Sequence, residues 1–142
     1  MKLPSEFDVD VKVMLFEEKC APRWEEWLES GCLIIQFKDT KESNESEALD
    51  QIWEYLLFGL VGNQLDRDII GICLSKHEKQ TLVEVWLRRK DKRVLIGKRI
   101  EELIERDLHF VCTKLKKPIR VVYKDHKVSM EVFICVCRTT PP

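Results

Sequence analysis

Between residues 47 and 61, Leu49, Ile52, Trp53, Leu56, Leu57 and Leu60 recur at spacings of three and four. That period commits the segment to a helix with one stripe against a core. The apolar runs on either side keep other rules. Residues 9 to 16 begin in strict alternation, and residues 32 to 37, 69 to 75 and 81 to 87 are short and rich in β-branched side chains. Each of the four reads as a strand. A chain that sets one long amphipathic helix among such strands must build a sheet and cover it.

The remaining segments extend the pattern. Residues 9 to 16 and 32 to 37 are expected to pair antiparallel. The charged loop of residues 38 to 47 should end in a helix cap near Ser43 or Ser46. The polar run Lys76-His77-Glu78-Lys79-Gln80 has hairpin spacing between its flanking strands. Leu95, Ile96, Arg99, Ile100, Leu103 and Ile104 predict a second amphipathic helix over residues 94 to 106. Residues 119 to 123 and 128 to 136 read as two strands with 124 to 127 as their turn, and residues 139 to 142 as a frayed tail. The expected fold class is α+β, a mostly antiparallel sheet with helices on one face.

A chain of 142 residues, 44% of them hydrophobic, has the size of one domain. A charged fraction of 35% with only five prolines argues against extended disorder. No apolar run reaches the roughly 18 residues that would cross a membrane. Met1-Lys2-Leu3-Pro4-Ser5 runs into acidic residues, which is not the pattern of a signal peptide. Most of the six cysteines lie inside apolar runs, as free thiols in a reducing compartment do. Cys135-x-Cys137 has no nearby histidines, so no metal or other cofactor is expected. The net charge of −1 conceals acids concentrated over residues 5 to 54 and Lys and Arg over 76 to 127, and the basic half suits phosphate.

Trp24 is followed directly by Glu25. An indole face can stack a base for roughly 1–3 kcal/mol, and a carboxylate beside it can accept from the N–H edge of guanine. The ordered series around this pair resembles the eukaryotic translation initiation factor 4E family, which binds the methylated mRNA 5′ cap. Leu15-Phe16 leads into Pro22-Arg23-Trp24-Glu25, a helix bearing Trp53, Leu56 and Leu57 ends at Gly62, a strand pair closes on Trp86, and Tyr123-x-x-His126 follows a later helix. The resemblance covers about residues 11 to 126 and implies the family's curved sheet.

By that resemblance, Trp24 stacks the base and Glu25 reads its edge. Trp86 sits near the methyl group, and the hairpin tip, with Lys76, His77 and Lys79, meets the cap phosphates. His77 matches a family Arg and Leu82 a family Lys, which leaves Lys79 as the clearest carry-over among the site cations. Glu54, Phe58 and Gly62 match the outer helix surface that receives a helical Tyr-Leu peptide from translation scaffolds and repressors. The resemblance thus implies a cytoplasmic cap-binding protein of translation initiation.

The family's first stacking Trp precedes the region matching Leu15, so the chain reads as amino-terminally short, with an open sheet edge. Trp27 is a substitute plate, or else packs on the sheet. Two other readings stand beside cap binding. One is an interaction module of the same fold without cap affinity, using Glu54 and Phe58. The other is a small enzyme built from His77 or His126 with Cys73 or Glu84, although no phosphate loop, nucleophile elbow or metal spacing is present.

Overall fold

The computed structural model describes residues 3–16, 31–38, 42–62 and 64–125. Trp24, Glu25, Trp27, His126, the strand expected over 128 to 136 and the tail lie outside them. Among the described residues five strands form one antiparallel sheet: β1 (Lys12–Phe16), β2 (Gly31–Phe37), β3 (Ile69–Lys76), β4 (Thr81–Leu87) and β5 (Val121–Asp125). Their order is β1-β3-β4-β2-β5. The described residues also form three helices: α1 (Ser43–Val61), α2 (Arg93–Asp107) and the short α3 (His109–Cys112).

Alternation along each strand separates two faces. Leu33, Ile35 and Phe37 of β2, Val83, Val85 and Leu87 of β4, and Ile72 and Leu74 of β3 point toward the helices. There they meet the α1 stripe of Leu49, Ile52, Trp53, Leu56 and Leu60, together with Ile96, Ile100 and Ile104 of α2. The opposite face holds a smaller cluster of Cys32, Ile70, Cys73 and Trp86, with Met14, Phe16 and Ile34 against it. A register shift between Ile69 and Gly71 accounts for the order on β3. A bulge turns successive residues to the same side, so Ile70 and Gly71 both look away from the helices.

The hairpin of β3 and β4 and the helical stripe of α1 form as the sequence leads one to expect. Several boundaries and pairings differ. β1 does not pair with β2; it pairs with β3, Val13 opposite Leu74 and Leu15 opposite Ile72. β2 is flanked by β4 and β5. The β3–β4 hairpin inserts between the two segments that follow one another in the chain. β1 also begins at Lys12, because Asp10 has φ of 66° and turns the backbone there, its N–H reaching the Lys76 carbonyl at 2.7 Å. Asp is among the few residues that tolerate this conformation.

α1 starts earlier than its apolar stripe, and its cap is neither Ser43 nor Ser46. The Glu42 carboxylate accepts from the backbone N–H groups of Asn44 at 3.1 Å and Glu45 at 3.0 Å. A charged acceptor at the positive end of the helix does the work of a hydroxyl cap. In α2, Leu95 does not join the buried stripe; it is 65% exposed beside Val94, while Ile96 turns inward. Residues 124 and 125 belong to β5 and not to a turn.

Candidate nucleotide-binding face

The sheet face opposite the helices is built mainly from the outward side of β4. Trp86, Glu84 and Leu82 stand in a line along it, spanning about 13 Å at the usual rise of a strand. Across β4 the register places Gly71 and Cys32 beside Trp86, Cys73 and Ile34 beside Glu84, and Ser75 and Gln36 beside Leu82. One end of the face is therefore aromatic and apolar, the middle acidic and the far end polar.

At the aromatic end Trp86 is fully buried and Phe16 meets it edge-on, with ring centroids 5.2 Å apart and planes at 84°. Trp86 thus forms a packed floor, whereas a stacking plate would stand clear of its neighbours. In the sequence Trp24 and Glu25 fall between Phe16, the last residue of β1, and Gly31, the first of β2. Phe16 and Gly31 lie at the same end of the sheet as Trp86, since Phe16 pairs with Gly71 and Cys32 with Trp86.

Glu84, 6% exposed, accepts a hydrogen bond from Cys32 Sγ at 3.4 Å. Cys73 lies across from it, and burial, followed by the nearby Glu84 carboxylate, pushes the Cys73 thiol far above its ordinary range. A thiol held protonated is neither a nucleophile nor a metal ligand. Among the described residues no group of three His, Cys, Asp or Glu is arranged to hold a metal ion.

The hairpin tip lies at the other end. His77 and Lys79 are exposed, and the His77 N–H closes the turn on the Gln80 carbonyl at 2.8 Å. Lys76 is drawn elsewhere, so it does not join the tip cations as expected. Its Nζ donates to the Pro4 carbonyl at 3.0 Å and the Phe7 carbonyl at 2.6 Å, on the helix side of the sheet. Lys12 was not singled out by sequence reading. It alternates with Met14 and Phe16 and pairs with Ser75, which sets it in the same cross-strand row as Leu82. The signal was available in the alternation of β1, but the row exists only once β1 is placed beside β3.

On the opposite side of the molecule, α1 turns Phe58 outward at 61% exposure with Val61 next to it. Glu54 is half-buried one turn earlier. Gly62 ends the helix, its N–H bonded to the Phe58 carbonyl at 2.9 Å. The three residues matched to a partner surface therefore do share the outer flank and end of α1.

Residues 1–132 match the model of the family described as eukaryotic initiation factor 4E. The chain belongs to that family. Among its relatives, the eukaryotic translation initiation factor NCBP of Oryza sativa subsp. japonica is 31% identical over 134 residues, covering 92% of this chain and 52% of the relative. NCBP of Arabidopsis thaliana is 31% identical over 133 residues, covering 90% and 52%. The chain spans about half the length of the curated relatives it matches.

Solved structures that share the fold include two from nematodes. One is C. elegans eIF4E-3 in complex with the 4E-binding protein Mextli, at 23% identity and a TM-score of 0.68, covering 92% of this chain and 73% of that one. The other is Ascaris suum eIF4E-3 with m7G cap, at 21% identity and a TM-score of 0.67, covering 89% and 68%. The antiparallel sheet with helices on one face is thus the initiation factor 4E fold.

Proposed function

We propose that this chain binds the 7-methylguanosine cap of mRNA and acts in translation initiation or its regulation, in the cytoplasm and through binding without catalysis. The family match over residues 1–132 carries the reading. A sheet face opposite α1 and α2 floored by Trp86, with Phe16 and Gly31, between which Trp24 and Glu25 fall in the sequence, at the same end, supports it. Methylation at N7 puts positive charge on guanine, so Trp24 gains cation–π attraction as well as stacking. Glu25 accepts from both N–H groups of the guanine edge, and adenine, lacking them, leaves the carboxylate unpaired. Trp86, buried against Phe16, backs the end of the face where the methyl group lies. Lys79 and His77, at the far end of the face, meet the phosphates.

The outer flank of α1 serves a second contact. An exposed Phe58 between Glu54 and Gly62 suits a helical peptide that presents Tyr and Leu from a translation scaffold or repressor. Tryptophan fluorescence during titration with 7-methyl-GTP and with GTP tests the first contact. Selective quenching that Trp24→Ala removes and Phe58→Ala spares is expected. An equal response to both nucleotides in the folded protein would overturn cap recognition. For the second contact, Phe58→Ala should weaken a Tyr-Leu helical peptide about tenfold while changing stability by less than about 0.5 kcal/mol. Unchanged peptide binding would remove that surface from the reading.

A further inference from the structure

Beside the hairpin tip, the sheet face continues into a groove of about 820 Å³ at its β2–β5 side. Ile34, Leu82 and Val122 line it from the sheet face opposite α1 and α2, and Val122 is 60% exposed although it is a β-branched apolar residue. Gln36 and Gln80, hydrogen-bonded to each other, tie the β2 strand to the hairpin turn at the near end. Lys38, Lys116, Lys117 and Arg120, all exposed, supply the cations of the wall. Two carboxylates also line the groove, Glu42 and Glu45, and Glu42 is engaged in capping α1. Four cations against two carboxylates leave the groove positive in a chain whose net charge is −1.

From this arrangement we infer that the groove binds the phosphodiester chain of the RNA that follows the cap. The inference rests on the cap-binding reading for its direction. A base held at the Trp86 end puts its phosphates toward Leu82 and the hairpin tip, and Gln36 and Gln80 mark where that end passes into the groove. The occupant is a polyanion because the walls are cationic. It is a single strand because the apolar floor accepts unpaired bases without a base-specific partner. None of the residues matched to the family's cap contacts lies in the groove's cationic wall.

The test compares 7-methyl-GTP, an m7G-capped ten-nucleotide RNA and the same RNA uncapped. Each is titrated against the full chain and against a Lys116→Glu, Lys117→Glu, Arg120→Glu variant whose fold is checked by circular dichroism. All three positions are exposed, so the variant should fold. Capped RNA should bind the native chain at least tenfold more tightly than 7-methyl-GTP. The variant should lose that advantage and leave 7-methyl-GTP binding unchanged. With a single-strand salt slope of about −0.7 per phosphate contact, the three reversals should flatten the slope for capped RNA by about 2.

Unchanged affinity for capped RNA in the variant would overturn the inference, as would an equal loss for 7-methyl-GTP. Poly-glutamate bound as tightly as RNA of equal charge would also overturn it, assigning the groove to an acidic protein. If 7-methyl-GTP fails to bind the native chain while uncapped RNA binds and the variant loses it, the groove stands and the cap reading falls.

Discussion

Phe16 rests edge-on against Trp86 because residue 71, its partner across β1 and β3, is a glycine. A Cβ on Gly71 would stand 2.3 Å from Phe16 Cδ1, well inside van der Waals contact, and the atom it meets belongs to a stiff ring. The aromatic end of the candidate nucleotide face is thus assembled from three strands, with the small residue on β3 making room for the ring from β1.

Gly71→Ala should therefore destabilise the protein by about 1–3 kcal/mol, the usual cost of overpacking a tight site. Phe16→Leu in the same chain should recover part of the loss, because the smaller side chain yields the space. Urea unfolding of the two single variants and the double variant measures both. Additive losses would show that Gly71 and Phe16 are not coupled.

The end of α2 is tied to the middle of α1 by Tyr55 and Asp107. The Tyr55 hydroxyl donates to the Asp107 carboxylate, which also accepts from Arg106 Nε at 2.7 Å and Nη2 at 3.0 Å. The Arg106 bond, and then that from Tyr55, hold Asp107 down at about 2 from an ordinary 3.8. Burial, and then Asp107, raise Tyr55 to about 12 from 10.0. A lowered carboxylate contributes stability above pH about 4 that fades as pH falls toward 2. A raised phenol contributes below pH about 10 and fades as pH rises through 12. The tie should thus be fully present between those limits. Tyr55→Phe should flatten the alkaline limb of stability against pH and Asp107→Asn the acid limb. Curves parallel to the native chain in both windows would show that the tie contributes nothing.

Lys76 fastens the amino-terminal turn to the sheet. Its bonds to the Pro4 and Phe7 carbonyls act together with Ser5, whose N–H and hydroxyl both reach the Asp50 carboxylate of α1, at 2.8 and 2.5 Å. Lys76→Met keeps the apolar stem and removes the donors, and should cost about 1–3 kcal/mol through carbonyls left without their charged partner. Hydrogen exchange over residues 3 to 11 should quicken while α2 stays protected. Unchanged exchange in that segment would mean that the Ser5–Asp50 contact suffices alone.

Elements set by local period were legible in the chain. The α1 stripe from Leu49 to Leu60 and the β3–β4 hairpin around residues 77 to 80 follow from spacings that neighbouring residues fix among themselves. The direction of Phe58 was legible for the same reason, since a helix sends a residue off its apolar stripe outward. The cap at Glu42 was not, because hydroxyl caps were the stronger local signal and the reach of a carboxylate depends on the loop before it.

Pairing was a different matter. Alternation shows that residues 12 to 16 make a strand with one buried face, yet it is equally satisfied by β2 or β3 as a neighbour. The choice of β3 is made by packing the whole sheet, where Val13 and Leu15 must reach the helix-side core and Phe16 the space over Gly71. The fate of each side chain at the candidate site followed from that choice. Lys76 was diverted to the amino-terminal turn, Lys12 entered the row of Leu82, and Trp86 became a floor. By itself the sequence determined the buried stripe of α1, the β3–β4 hairpin and the family. Only the tertiary structure decided which strands touch and which cations stay exposed, because such contacts join residues far apart in the chain and local spacing carries no record of them.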